Sequence, residues 1–134
     1  MRARFLRQRI YTYVGSTLVS LNPFRELPGE YGEQRMAELK KTAAQRTGRT
    51  PHLYAIAELA HRSVQQQHCS ASVVVSGESG AGKTEASKHL LRYLSWRAGG
   101  ASGAGGVAAR ILHSNPVFEA FGNAQPVKMA VCPA

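Results

Sequence analysis

Four residues carry the chemistry this sequence advertises: Gly77, Gly82, Lys83 and Thr84 occupy the fixed positions of G-x-x-x-x-G-K-[ST]. Gly80 and Gly82 remove side chains where backbone amides must turn inward toward an anion and where φ must be free to go positive. Lys83 adds a mobile ammonium for terminal phosphates, and the Thr84 hydroxyl offers one hard oxygen to Mg²⁺, an ion that keeps most of its waters. A helix starting at this point aims its unpaired amides and positive dipole end at the same anion. The whole run Gly77, Glu78, Ser79, Gly80, Ala81, Gly82, Lys83 and Thr84 is therefore the candidate phosphate cradle, and Thr84 the candidate metal ligand.

A glycine-serine turn could match this pattern by accident in about one random chain of this length in two or three hundred. The flanks argue against accident. Ser72-Val73-Val74-Val75-Ser76 reads as a strand entering the turn, and Thr84 to Trp96 reads as the helix leaving it, with Leu90, Leu91 and Leu94 at helical spacing. Further back, Ile10 to Leu21 reads as a hairpin whose Gly15-Ser16 pair suits a type II′ turn, closed off by Asn22-Pro23. A modest helix is expected from Glu33 to Gln45. Thr50-Pro51 predicts a second helix start, with Thr50 as cap and Pro51 in the first helical position. Leu53, Ile56, Ala57, Ala60 and Val64 give that helix one apolar stripe, and His52, His61 and His68 read as ordinary surface histidines without shared metal geometry. The glycine-rich run from Ala98 to Gly106 predicts a flexible excursion, and Asn115-Pro116 divides two helices between Val107 and Gly122. These elements predict an α/β fold of the P-loop NTPase type. Its incomplete mixed sheet would hold the hairpin and Ser72–Ser76 together, flanked by helices at 51–66 and 84–96.

Composition narrows the chemistry. The 134 residues carry a formal charge of +9 and a pI near 10.2, and all eight acids are glutamates. Phosphoryl-transfer enzymes built on this loop normally hold Mg²⁺ with a second acid, usually an Asp at a strand end, and this sequence contains no Asp. The 17 Lys and Arg are scattered without interleaved aromatics, so a solvated surface is favoured over nucleic-acid binding. Two cysteines, Cys69 and Cys132, make no disulfide or metal framework and fit a reducing cytoplasmic setting. No apolar stretch reaches the roughly twenty residues of a membrane span. Met1 to Arg9, basic and free of acids, has some character of a transit peptide but is short and runs straight toward the hairpin.

Five segments, in order, resemble the myosin motor domain: Ile10-Tyr11-Thr12-Tyr13-Val14-Gly15, Asn22-Pro23-Phe24-Arg25-Glu26-Leu27-Pro28, Pro51-His52-Leu53-Tyr54-Ala55, Gly77 to Glu85, and Glu119-Ala120-Phe121-Gly122-Asn123-Ala124. The likeness runs from about Arg4 to Ala124, and the wording of Glu26-Leu27-Pro28 and Glu85 to His89 leans toward class I myosins. The resemblance implies an actin-activated, Mg-ATP-dependent motor of the cytoskeleton, with ATP and actin filaments as partners. By the same likeness Gly77 to Thr84 would surround the phosphates, and Asn22, Pro23, Arg25 and Tyr31 would lie on the adenine side. Pro28-Gly29-Glu30-Tyr31 is one residue longer than the family's usual spacing, and the glycine run corresponds to a variable loop near the nucleotide entrance.

Residues 1–124 are thus expected to be part of a motor domain, and residues 125–134 a divergent tail. Beyond Ala124 the family continues into switch I, with its Asn, paired Ser and Arg, whereas this sequence reads Gln125 to Ala134; switch II and the actin-binding half have no counterpart in it. A portion that binds nucleotide without turning it over is the expectation. The alternatives are a small P-loop kinase or other NTPase, which would usually open with the loop and needs a metal-binding Asp, and a basic non-enzymatic binding module.

Overall fold

The computed structural model describes residues 2–44, 50–99, 110 and 114. The expected glycine excursion past Gly99, the helices between Val107 and Gly122, and the tail from Gln125 lie outside the described residues, apart from Arg110 and Ser114. The elements are α1 (Arg2–Leu6), β1 (Tyr11–Val14), β2 (Thr17–Ser20), α2 (Glu33–Ala44), α3 (Leu53–Gln67) and α4 (Lys83–Arg97). The segment read as a possible transit peptide forms α1, tied down by Arg4, whose guanidinium donates to the Tyr11 carbonyl at 2.9 Å.

β1 and β2 pair antiparallel with Val14 opposite Thr17, which leaves a two-residue loop. Gly15 takes φ +59° and Ser16 does not turn positive, so the positive φ falls where a type II′ turn needs it. The Leu21 amide extends the ladder by donating to the Ile10 carbonyl at 3.0 Å.

The expected third strand is a correction. Ser72–Ser76 pairs with nothing among the described residues, and the sheet there is the hairpin alone. Val74 is 86% exposed, and only Val75 packs against the core. Alternating β-branched residues favour an extended backbone, but a strand also needs a neighbour whose amides face it, and no described segment supplies one.

The core lies where α2, α3 and α4 meet under the hairpin: Ile10 and Tyr11 from the hairpin side, Met36 and Leu39 from α2, Leu53, Tyr54 and Ala57 from α3, Leu90 and Tyr93 from α4. Each large apolar side chain buried here contributes about 1.5–3 kcal/mol. The stripe expected on α3 is buried at its N-terminal end and fades outward, with Ile56 and Ala60 half-buried and Val64 exposed. Helix α3 also begins two residues later than expected. His52, not Thr50, is its cap: the imidazole Nδ1 accepts from the Tyr54 amide at 2.9 Å.

One buried acid joins the helices. Glu58 of α3 is fully buried and accepts from Arg62 Nε at 2.8 Å, Arg97 Nε at 2.9 Å and the Tyr93 hydroxyl at 3.0 Å. Arg62 also reaches the Lys40 carbonyl at 3.1 Å, so α2, α3 and α4 share one network. Burial pushes the Glu58 carboxyl upward, but the hydrogen bonds from Arg97, Arg62 and Tyr93 outweigh it and hold the group below its ordinary value. The network fixes the far end of α4, the helix whose near end is Lys83.

Candidate functional site

Gly77 to Gly82 form a tight turn into α4. The Ala81 amide donates to the Glu78 carbonyl at 3.2 Å, and Gly80 and Gly82 take φ +77° and +91°, values that side chains resist. Gly77 is held for a different reason, since a Cβ on it would come within 3.1 Å of the Ala81 Cβ. Gly82 is the N-cap of α4, and no side chain bonds to the amides that follow. Lys83 folds back over the turn, with Nζ donating to the Gly77 carbonyl at 2.9 Å and the Glu78 carbonyl at 2.8 Å. No carboxylate among the described residues pairs with it. An ammonium held only by carbonyl dipoles can be drawn onto an anion without breaking an ion pair. Ser79, Thr84 and Glu85 are exposed beside it, with Glu85 paired to Lys88 at 2.8 Å.

The Asn22-Pro23 segment lies against this turn, although 58 positions separate Asn22 from Gly80. The Asn22 Nδ2 donates to the Gly80 carbonyl at 2.8 Å, while Oδ1 accepts from the Phe24 amide at 2.9 Å and holds Phe24 at φ +51°. Between the segment and α4 opens a cleft of about 700 Å³. Asn22, Pro23, Arg25 and Tyr31, all expected on the adenine side, line it together with Ala81 and Gly82 of the turn. The other turn residues, Gly77, Glu78, Ser79, Gly80, Lys83 and Thr84, lie outside that lining.

Tyr31 is not a free platform. Its ring stacks on His89 at 3.6 Å with planes 6° apart, and its hydroxyl shares a 2.5 Å hydrogen bond with the Tyr11 hydroxyl. The Tyr54 hydroxyl donates to the Tyr31 carbonyl at 3.0 Å. Burial raises the Tyr31 phenol above its ordinary value, raises Tyr11 far more, and pushes Tyr54 up to about 12.

Reading His52 as a surface histidine is corrected here. It is fully buried between Tyr11 and Tyr54, with ring centroids 5.0 and 4.8 Å away. Because Nδ1 accepts from Tyr54, Nε2 carries the proton and donates to the Glu30 carbonyl at 3.1 Å. Burial, helped by the charge of Arg35, pushes its pKa down to about 4. The residue thus anchors the loop that carries Tyr31. His61 is half-buried and His68, at φ +54°, is the exposed C-cap of α3.

The sequence reading missed the α4 side of the cleft: Glu85, His89 and Arg92 line it. Their spacing of four and three puts them on one helical face, a signal present in the sequence but masked by the stronger leucine stripe. Burial lowers the His89 imidazole below its ordinary value.

Residues 1–130 match the family described as myosin head (motor domain). The chain belongs to the myosin motor family. Its relatives include three Arabidopsis thaliana proteins: Myosin-7, 43% identical over 129 residues, Myosin-6, 46% over 129, and Myosin-17, 46% over 127. The matches cover 96%, 96% and 93% of this chain but only 7%, 8% and 8% of those myosins, so the chain spans less than a tenth of their length. It is a portion of a myosin motor domain, not a small kinase or a basic binding module. The leaning toward class I finds no support in these plant relatives. Among the described residues no helix is long and apolar enough to cross a membrane, and no group of three His, Cys, Asp or Glu stands close enough to hold a metal ion.

Proposed function

We propose that this chain is the nucleotide-binding part of an actin-based motor, with Gly77 to Thr84 receiving the phosphates of ATP and the cleft beside Asn22, Pro23, Arg25 and Tyr31 receiving the base. The observation that carries the reading is the junction of the two: a glycine turn whose lysine has no ion-pair partner among the described residues contributes Ala81 and Gly82 to the wall of a 700 Å³ cleft, which is otherwise lined by apolar groups such as Ile10, Leu27 and Leu53 and by polar ones such as Arg25, Glu85 and Arg92. A volume of that order lies within the range of small-molecule and cofactor pockets, about 300–1,000 Å³. Mg²⁺ would come as a companion of the phosphates, with the exposed Thr84 hydroxyl at the helix start offering it one hard oxygen. Bound there, the ion would neutralise phosphate charge; the chain's own part is to orient the phosphates by turn amides and Lys83. Contact with actin filaments and a place in the cytoskeleton follow from membership of the family and belong to the whole motor.

The test is calorimetric titration of the chain with ATP and Mg²⁺. Lys83→Ala is expected to weaken binding by at least tenfold, the loss of a charge-assisted contact of about 1.5–3 kcal/mol. Unchanged affinity in Lys83→Ala defeats the assignment. Phosphate release by the same chain is expected to stay near background, because none of its 134 residues is an Asp and no acid other than Glu119 follows Glu85.

A further inference from the structure

Resting on that reading of the cleft, we propose that Asn22 is a positioning residue that clips the phosphate turn, and that it serves the phosphates rather than the base. Its carboxamide spends one donor on the Gly80 carbonyl at 2.8 Å and one acceptor on the Phe24 amide at 2.9 Å. The first bond sets the orientation of the Gly80 peptide, whose residue stands at φ +77°, and so supports the bond by which the Ala81 amide of that peptide donates to the Glu78 carbonyl at 3.2 Å and closes the turn. The clip also sets the room at the helix cap. A Cβ on Gly82 would lie 3.7 Å from Asn22 Nδ2, so the carboxamide closes over the cap as well as over Gly80. The second bond places Phe24 and the Arg25 after it along the cleft wall. One side chain thus ties the base-side segment to the phosphate-side turn across 58 positions.

A base-free ligand separates the two roles. With inorganic tripolyphosphate as probe, Asn22→Ala is expected to weaken binding about fivefold, the worth of one hydrogen bond of about 1 kcal/mol, and to weaken ATP by the same factor. Asn22→Asp keeps the acceptor for Phe24 but loses the donor to Gly80, and is expected to lose at least as much on both ligands. A loss confined to ATP, with tripolyphosphate unchanged, overturns the proposal, because it makes Asn22 a base contact. Hydrogen exchange without any ligand gives an independent arm: the amides of Gly80 to Gly82 should exchange several-fold faster in Asn22→Ala while those of Tyr11 to Ser20 hold their rates. Unaltered exchange in the turn, or a rise spread evenly over the hairpin, equally overturns it. If Lys83→Ala leaves tripolyphosphate binding intact, the nucleotide-site reading fails by itself and the exchange arm still decides the clip.

Discussion

The helical body and the phosphate turn are built on opposite plans. In the body, one carboxylate satisfies two guanidiniums and a phenol while Tyr54, Tyr93, Met36 and Leu39 fill the space around it. In the turn, the approach through Val73 and Val74 is exposed, the helix cap has no side-chain partner, and Lys83 leans on carbonyls of its own loop. The buried carboxylate of the body is already answered from within the chain. The polar groups of the turn are, on the proposed nucleotide reading, held in reserve for a ligand at the expense of local stability, which is where binding loops usually draw their freedom.

The comparison breaks most visibly at Glu58. Glu58→Ala leaves Arg97, Arg62 and Tyr93 facing an empty, buried position, and is expected to lower unfolding stability by about 3–5 kcal/mol, read as a fall in urea midpoint. Glu58→Gln, which keeps the shape and loses the charge, should cost less.

Acid attacks the body next, through His52. Its folded pKa of about 4 lies below the unfolded value near 6.5, so the unfolded chain takes up the proton first. The stabilisation is complete above pH 6.5 and is lost as pH falls toward 4, amounting to about 3 kcal/mol for a shift of this size. His89 works in the same direction, and Glu58, held low, withdraws its own contribution at still lower pH. His52→Asn, an alternative N-cap without a titrating ring, should flatten urea midpoints measured between pH 7 and 4.5.

In the turn the effects shrink for folding and grow for binding. Gly82→Ala forces a side chain to φ +91° and should cost about 1–2 kcal/mol of stability, with a larger relative loss of ATP affinity in the same titration. Val74→Thr, at a site 86% exposed, should change unfolding stability by less than about 0.5 kcal/mol, read from the urea midpoint. A large loss there would mean that the approach to the turn is packed after all, and the contrast between the two regions would fail.

What the sequence disclosed follows the reach of each interaction. Helices α2 and α4 and the hairpin rest on contacts a few residues long, so periodicity and the Gly15 turn placed them within a residue or two. The tight turn before α4 was legible because the positive φ it needs falls on Gly80 and Gly82 themselves. The pairing of Ser72–Ser76 was not, since a strand's partner is chosen by distant chain. His52 escaped for a related reason. Its role as a cap depends on burial between Tyr11 and Tyr54 and on a carbonyl 22 positions away, whereas local rules favour the hydroxyl of Thr50. The tie between Asn22 and Gly80 is likewise invisible to any window shorter than 58 residues.

The glycine at the head of α4 has a thermodynamic consequence. A helix normally finishes its first turn with a hydroxyl or carboxamide of its own, and Gly82 supplies none, so under the proposed nucleotide site phosphate oxygens would complete α4 from outside the chain. Ligand and secondary structure would then be parts of one equilibrium: the helix that runs on to Tyr93 and Arg97 would gain its last cap when the proposed nucleotide binds. At a nucleotide concentration one hundred times the dissociation constant, that linkage adds about 2.7 kcal/mol to unfolding stability, so the melting temperature of this portion of a motor becomes a gauge of the nucleotide around it.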